Sequence, residues 1–246
     1  MRIEVVPTAG SMVLPYLENK LVIIIDVLRA TSTMVTALAN GCEAILPVLT
    51  VEEAMEKRLT VPGAILGGER LGLRIEGFDV GNSPFDYAPE KIGGKRLIYT
   101  TTNGTRAIRA VAGMAPHVWL GSFLNLQSIV HSLYRQFEAD RGLEGVLIIC
   151  AGTEDRFDFS DSLCAGMLID ALGPEVELND LGKATCLLYR AVKPVLLETI
   201  RESDHGKKLI ALNMERDVIY CSTPNILPIV PALMEDEIIW LTDIMK

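Results

Sequence analysis

Five side chains that could handle an anion or a metal ion follow the first long apolar run of the sequence: Asp26, Arg29, Thr31, Ser32 and Thr33. Arg29 and the hydroxyls suit a phosphate or a sulfonate, because backbone N–H groups at the start of a helix are free to bind an anion. Asp26, at the end of a strand, suits a divalent metal ion or a nucleophile. The structural alternative is a buried Asp26–Arg29 pair that only holds the loop together.

A second apolar run leads into a turn with more polar residues: Thr100, Thr101, Thr102, Asn103, Gly104, Thr105 and Arg106. Asn103 and Gly104 form a turn pair, and we expect a helix after it. An ordinary helix cap uses one or two hydroxyls, so four hydroxyls beside an arginine favour a second anion site over a simple cap. The GxxxxGK[ST] pattern of a Walker loop is absent from this segment.

Acidic residues at strand ends could hold a metal ion. Magnesium usually takes one or two carboxylates, together with water and substrate oxygens. Asp26, Glu69 and Asp161 are therefore the candidate metal ligands. Three other acids follow residue 150, and we expect them to face solvent, as loop acids generally do: Glu154, Asp155 and Asp158.

The five cysteines are predicted to be small buried residues. Cys150 follows a strand, but a phosphate loop headed by a cysteine needs an arginine five residues on, and Arg156 is six away. Glu154 and Asp155 would also repel a phosphate and raise the thiol pKa. His205 and Asn125 are weak candidates when each is taken alone.

Short apolar runs alternate with helical patterns along the chain. We predict strands at residues 3–6, 21–25, 44–47, 64–67, 96–99, 117–120, 145–150 and 217–221. We predict helices at residues 32–40, 50–58, 104–112, 124–136, 160–172, 178–191 and 198–212. Continuous apolar strands are buried on both faces, and helices between them make crossover connections. The pattern predicts a three-layer α/β/α sandwich with a mostly parallel sheet.

The long irregular stretch 67–94 holds seven glycines and two prolines, and we expect it to be ordered and functional. Three apolar strands run into a polar turn and then a helix, which predicts three loops where open α/β sheets bind ligands. We expect one domain over residues 1–246, with two half-domains meeting near residue 115 as the alternative.

The composition excludes several classes of protein. A net charge of −9 without a dense basic stripe argues against nucleic-acid binding. Apolar runs are too short to span a membrane, and the first residues do not read as a signal peptide. The odd cysteine count favours a reducing cytoplasm. A homodimer is our expectation for the oligomeric state.

Seven motifs in order along the chain carry a resemblance: DVLRATST, GGERLG, GFDVGNSP, TTTNGTRAI, GSFLN, CAG and DSLCAG. Together they resemble the 2-phosphosulfolactate phosphatase family from residue 26 to about residue 170, with a weaker likeness beyond. The resemblance implies a cytoplasmic, magnesium-dependent acid phosphatase with a mixed sheet in a three-layer fold. The implied reaction is hydrolysis of 2-phospho-3-sulfolactate to 3-sulfolactate and phosphate, in coenzyme M biosynthesis.

The implied substrate carries a phosphate, a sulfonate and a carboxylate. Arg29 and Arg106 would each hold one of these groups, and Arg70 or the pair Asn82–Ser83 would hold the third. Asn125 lies in the motif GSFLN and is a further candidate for substrate binding. Asp26 and Glu69 would hold Mg²⁺ against the phosphate.

The resemblance leaves some chemistry open. Ser160 stands where the family pattern has an acid, which leaves Asp161 the better metal or supporting candidate. Direct attack by water and an aspartyl-phosphate on Asp26 both fit, and Leu28, in place of the second aspartate of a DxD motif, slightly favours water. The rival functions are a phosphatase for another small anionic phosphoester and a non-catalytic protein that binds small anions.

Overall fold

The computed structural model describes residues 1–11 and 17–241. Within them, the chain forms eleven strands: β1 (Arg2–Val6), β2 (Lys20–Ile25), β3 (Ala44–Pro47), β4 (Ile65–Arg70), β5 (Leu73–Arg74), β6 (Arg96–Thr100), β7 (His117–Gly121), β8 (Gly145–Cys150), β9 (Glu177–Leu178), β10 (Pro231–Met234) and β11 (Glu237–Trp240). The same ranges hold ten α-helices: α1 (Ala30–Ala39), α2 (Val51–Thr60), α3 (Pro89–Ile92), α4 (Gly104–Val111), α5 (Leu126–Ala139), α6 (Phe159–Leu172), α7 (Asp180–Val192), α8 (Leu196–Glu202), α9 (Asp204–Ala211) and α10 (Glu215–Cys221). The domain predicted over 1–246 includes 12–16 and 242–246, which lie outside the described residues.

The strands form one sheet in the order β5-β4-β6-β3-β11-β10-β7-β2-β8-β1-β9. Strands β7, β2, β8, β1 and β9 pair in parallel, and so do β3, β6 and β4. The β10–β11 hairpin joins these two blocks through antiparallel pairs with β7 and β3. The sheet is therefore mixed but mostly parallel and is flanked by helices, which confirms the predicted fold class.

Strand β2 shows why the parallel strands read as unbroken apolar runs. Leu21, Ile23 and Ile25 belong to the hydrophobic core on one face of the sheet. Val22 and Ile24 belong to the core on the other face. Successive side chains of a strand point to opposite faces, so a strand covered on both sides is apolar throughout. The chain leaves this buried strand directly into the polar turn at Asp26.

The secondary-structure prediction was wrong in the last third of the chain. Residues 217–221 form part of helix α10, not a strand. Their β-branched and aromatic residues suggest a strand, but Asp217, Val218 and Cys221 are buried together on one helical face, and this packing outweighs local propensity. The helix predicted over 198–212 is divided at Ser203 into α8 and α9.

Strands β5 and β9 have only two residues each and were not predicted, and neither were β10 and β11. The β10–β11 hairpin nevertheless makes the sheet continuous. No helix in the described ranges is long and apolar enough to cross a membrane.

Candidate active site

A cavity opens where the polar segments after β2, β4, β6 and β8 meet helix α9. Seven of the predicted site residues line it: Asp26, Arg29, Glu69, Asn82, Thr101, Thr102 and Asn103. Other predicted residues lie outside its lining: Thr31, Ser32, Arg70, Ser83, Gly104, Thr105, Arg106, Asn125 and Asp161. His205, a weak candidate from the sequence, also lines the cavity, as do Thr153 and Lys208, which the sequence did not single out. Both parallel blocks of the sheet thus contribute to one site.

The hydroxyls of the first turn hold its backbone in place. Thr31 Oγ1 accepts a hydrogen bond from the Asp26 N–H at 3.1 Å and donates to the Asp26 carbonyl oxygen at 2.9 Å. Ser32 Oγ donates to another carbonyl oxygen of the turn at 2.8 Å. Thr33 Oγ1 donates to the Asn82 carbonyl oxygen at 2.9 Å and ties the turn to the long segment 67–94. These buried hydroxyls position Asp26 and Arg29.

Asp26 is a buried carboxylate with one free oxygen. Its Oδ1 accepts a hydrogen bond from the Ala30 N–H at 3.2 Å, and its Oδ2 accepts none from the described residues. Burial raises the pKa of Asp26 to about 6, opposed by the charge of His205 and the Ala30 hydrogen bond and assisted by the charges of Asp158 and Glu69. A desolvated acid of this kind in a cleft is typical of a functional group.

Arg29 lies in the cavity wall with only 2% of its surface exposed. Its Nη1 donates to Asp217 Oδ2 at 2.5 Å, and its Nη2 donates to the Gly72 carbonyl oxygen at 2.8 Å. Ser83 Oγ donates to the other oxygen of Asp217 at 2.8 Å. The partner of Arg29 is therefore Asp217 on α10, and the alternative of a simple Asp26–Arg29 pair was wrong.

Glu69, at the end of β4, joins the long segment to the second turn. Its Oε1 accepts hydrogen bonds from the Thr102 N–H at 2.9 Å and from Thr102 Oγ1 at 3.0 Å. Its Oε2 accepts from the Gly72 N–H at 2.7 Å. Glu69 is buried and lines the same cavity as Asp26, and its hydrogen bonds hold its carboxylate in place there.

The threonines of the second turn mostly bond to protein groups. Thr101 and Thr105 cap each other: Thr105 Oγ1 accepts from the Thr101 N–H at 3.1 Å, and Thr101 Oγ1 accepts from the Thr105 N–H at 3.2 Å. Thr100 Oγ1 accepts from Arg70 Nη2 at 3.0 Å. The Arg70 guanidinium also donates to two carbonyl oxygens and does not line the cavity. The turn therefore offers the cavity less free polar surface than its composition suggests.

Arg106 lies outside the cavity lining, pairs with Asp155 at 3.2 Å, and has half of its side chain exposed. Asn103 Oδ1 accepts a hydrogen bond from the Glu154 N–H at 3.2 Å. Gly104 lies against Asp26, where a Cβ atom would come within 2.8 Å of Oδ2. The glycine thus allows the start of α4 to approach the Asp26 carboxylate closely.

Asn82 presents an amide to the cavity, whereas Asn125 supports the fold. The Tyr99 hydroxyl donates to Asn82 Oδ1, and Asn82 Nδ2 donates to no described residue. Asn125 Nδ2 donates to two buried carbonyl oxygens, each at 3.1 Å, and the residue is 1% exposed. The hydroxyl of Ser83, next to Asn82, donates its hydrogen bond to Asp217.

The prediction that Asp158 faces solvent was wrong, because Asp158 is buried at the N-terminus of α6. Its Oδ2 accepts hydrogen bonds from His205 Nδ1 at 2.9 Å and from Thr153 Oγ1 at 2.8 Å. Burial disfavours the ionised form, but the hydrogen bond and charge of His205, with hydrogen bonds from Ser160 and Thr153, hold the pKa of Asp158 well below its usual range. Glu154 and Asp155 are exposed, as predicted.

Asp161 connects two turns without lining the cavity. Its Oδ1 accepts from the Val27 N–H at 2.8 Å, and its Oδ2 accepts from the Gly152 N–H at 3.1 Å. Burial, followed by the charges of Asp158 and Asp26, raises the pKa of Asp161 well above its usual range. The geometry suits a residue that positions the turns after β2 and β8.

All five cysteines are free and buried, which confirms their predicted role in packing. Burial, with the charges of Asp161 and Asp158, raises the pKa of the Cys150 thiol well above its ordinary value. A buried thiol with a raised pKa is a poor nucleophile.

The family model described as 2-phosphosulpholactate phosphatase matches residues 12–236. The chain belongs to this family. A probable 2-phosphosulfolactate phosphatase of Symbiobacterium thermophilum is 39% identical over 92% of this chain and 96% of its own length. Proteins with the same name come from Clostridium beijerinckii, 36% identical over 97% of this chain and 99% of the relative, and from Thermotoga maritima, 40% identical over 88% of this chain and 90% of the relative. The resemblance predicted from the motifs is confirmed, and the chain is a phosphoric monoester hydrolase.

For this member of the 2-phosphosulpholactate phosphatase family, the donor set fits Mg²⁺ at two of the three predicted ligands. No group of three or more His, Cys, Asp or Glu side chains in residues 1–11 and 17–241 is arranged to hold a metal ion. Mg²⁺ needs only one or two carboxylates, however, and Asp26 and Glu69 line one cavity. Asp161 fits less well, because backbone N–H groups occupy both of its oxygens.

Sequence reasoning missed Asp217, Thr153, Lys208 and the pairing of His205. Asp217 and Lys208 lie more than 170 residues after Asp26, and no local pattern links them to the first turn. The only signal for these two residues was the weaker likeness to this phosphatase family beyond residue 170, which gave them no roles.

Proposed function

We propose that this enzyme hydrolyses 2-phospho-3-sulfolactate to 3-sulfolactate and phosphate, with Mg²⁺ held by Asp26 and Glu69. The observation that supports this proposal is a pair of buried carboxylates in a cavity that also contains Arg29, Lys208 and His205, in a chain of this family. The proposed place of the reaction is coenzyme M biosynthesis.

Cationic groups in the cavity would bind the three anionic groups of the substrate. The charge of Arg29 is largely balanced by Asp217. Lys208 is exposed at the cavity and makes no ion pair with a described residue. We therefore assign Lys208 to an anionic group of the substrate, in place of Arg106. Asn82 Nδ2 would add a neutral hydrogen-bond donor.

The metal ion would act as a Lewis acid that neutralises charge on the transferring phosphoryl group. Asp26 suits a role as its ligand, because Oδ2 has no donor among the described residues. Glu69 suits the same role, since three hydrogen bonds fix its orientation. Water is the proposed nucleophile, because Leu28 occupies the position of the second acid in a DxD motif.

Phosphate release from racemic 2-phospho-3-sulfolactate tests the proposal, with 2-phospholactate as the matched ester that lacks the sulfonate. We expect phosphate release to be faster from the sulfonate ester than from 2-phospholactate. After treatment with a chelator, we expect no release until Mg²⁺ is added back. Titration calorimetry with Mg²⁺ gives a readout that does not depend on turnover, and Asp26→Asn should weaken the binding.

Two outcomes favour the rival functions. Equal rates for both esters would support a phosphatase for another small anionic phosphoester. Binding of the sulfonate ester without phosphate release, at any Mg²⁺ concentration, would support a protein that only binds small anions.

A further inference from the structure

His205 is held in one orientation by a buried acid. Its Nδ1 lies 2.9 Å from Asp158 Oδ2 and 3.2 Å from Thr153 Oγ1. Because Thr153 Oγ1 also donates to Asp158, the aspartate acts as the acceptor of both groups and Nδ1 carries a proton. His205 Nε2 has no hydrogen-bond partner among the described residues, and the side chain lines the cavity with Asp26.

Helix boundaries and caps make this pair rigid. Asp158 caps α6 by accepting hydrogen bonds from the N–H groups of Ser160 and Asp161. His205 is the second residue of α9, whose start is fixed by Ser203 Oγ, which accepts from the Gly206 N–H at 3.0 Å. The Asp158 side chain cannot turn away without losing its cap contacts.

Asp158 places a carboxylate directly beside the imidazole ring of His205. An ionised carboxylate in a buried site stabilises an imidazolium beside it. Asp158 is 5% exposed and His205 is shielded, so solvent screens their attraction little. An imidazolium carries a proton on Nε2, which is the nitrogen left free at the cavity.

We infer that His205 donates its Nε2 proton to the leaving oxygen of the phosphoester, with Asp158 and Thr153 as positioning residues. The inference rests on the proposed phosphatase function. Water forms a new bond to phosphorus and gives up a proton to solvent as the P–O bond to the leaving oxygen breaks. The electron pair of the broken bond stays on the leaving oxygen, and the Nε2 proton moves to that oxygen to give the product hydroxyl. Neutral His205 then regains a proton from solvent.

Proton donation suits this substrate class better than proton removal. Phosphoryl transfer has a loose transition state in which charge builds on the leaving oxygen, so an alkoxide needs a proton more than the water nucleophile needs a base.

The test compares two substrates of the same shape. One is 2-phospho-3-sulfolactate, and the other is its phosphorothiolate analogue, in which sulfur replaces the bridging oxygen. A thiolate leaves without a proton, so only the oxygen ester needs a general acid. We expect His205→Asn, whose amide can still donate to Asp158, to lower kcat/KM about 100-fold or more for the oxygen ester and less than about fivefold for the sulfur ester.

His117→Asn is the matched control. His117 Nε2 lies 3.1 Å from Asp140 Oδ2 and so forms a second His–Asp pair, but it begins β7 and does not line the cavity. We expect this variant to hydrolyse both esters at the wild-type rate. Asp158→Asn should reproduce the selective loss of His205→Asn on a smaller scale, because it weakens the hold on Nδ1 while keeping the size of the side chain.

Equal losses for the two esters in His205→Asn, or no loss for the oxygen ester, would overturn the assignment and leave the proposed function standing. If the wild-type enzyme hydrolyses neither ester, the proposed function fails and the assignment falls with it.

Discussion

The turns after β2 and β6 contain similar residues but use them differently. Each follows a buried strand, precedes a helix, and carries hydroxyls and one arginine. In the first turn, Arg29 is buried in the cavity wall against Asp217. In the second, Arg106 is half exposed and pairs with Asp155 outside the cavity lining. Composition alone therefore did not separate an arginine that belongs to the site from one that does not.

The difference comes from distant segments. Asp217 is 188 residues from Arg29 along the chain, and it draws the guanidinium inward. Asp155 lies in the exposed loop after β8, and it draws Arg106 outward. A buried acid fixes its partner in one geometry, whereas an exposed pair is weak and screened by salt. The partner of each arginine thus decides which turn contributes its charge to the cavity.

The largest expected effect is on turnover when the first turn loses its acid. Asp26→Asn should lower kcat by about 1,000-fold or more, because one of the two buried carboxylates that line the cavity becomes neutral. Asp155→Asn makes the same chemical change at the exposed partner of Arg106 and should keep turnover within about twofold, since exposed ion pairs contribute little. Both are measured by phosphate release at saturating Mg²⁺. Similar losses in the two variants would remove the distinction between the turns.

Loss of the acid that pairs with each arginine should also have different effects on stability. Asp217→Asn should lower the free energy of unfolding by about 3–5 kcal/mol, because it leaves the Arg29 charge buried without a counter-charge. Asp155→Asn should lower it by less than about 1 kcal/mol. Urea unfolding at pH 7 measures both. A loss below about 1 kcal/mol in Asp217→Asn would contradict the view that this pair fixes Arg29.

Asp26→Asn should stabilise the metal-free protein while it abolishes turnover. The pKa of Asp26 is raised from 3.8 to about 6 by burial, so its ionisation in the folded state at pH 7 costs up to about 3 kcal/mol. Since the folded pKa is the higher one, the contribution of Asp26 to stability is fully present below pH 3.8 and is lost as the pH rises through 6. The free energy of unfolding of the variant should therefore rise relative to that of the wild type between pH 4 and pH 7.

Urea unfolding in a chelator, at steps from pH 4 to pH 8, measures this difference. The two proteins should have similar stability at pH 4, and the difference should grow up to about pH 7 and then stay constant to pH 8. A difference that stays constant across this range would mean that the carboxylate of Asp26 is not destabilised by its surroundings.

The fold was largely predictable because its strands are buried on both faces. The apolar runs that became β2, β6 and β8 were found within one residue of their ends, and the polar turns after them were recognised as the site. Asp26 and Glu69 line the cavity because the carboxyl ends of parallel strands meet at one edge of the sheet, and Asn82 reaches it from the long segment 67–94.

The parts of the fold and of the site that were not predicted depend on contacts between segments far apart in the sequence. Residues 217–221 read as a strand, yet as helix α10 they supply Asp217 to Arg29. Asp158 reads as a loop acid, yet it caps α6 and meets His205 from α9, 47 residues away. Short strands such as β10 and β11 gain their stability from pairing with distant strands, not from their own sequence.

The smallest expected effect is at Arg106, which the sequence presented as the equal of Arg29. Arg106→Ala should change kcat/KM by less than about twofold, because the side chain is half exposed, is paired with Asp155 and does not line the cavity. Lys208→Ala, which removes a cation that lines the cavity, should lower kcat/KM by about tenfold, mainly through KM. Initial rates over a range of 2-phospho-3-sulfolactate concentrations distinguish the two. If Arg106→Ala gave the larger loss, substrate binding would have to draw Arg106 away from Asp155, and the two turns would be equivalent in the working enzyme after all.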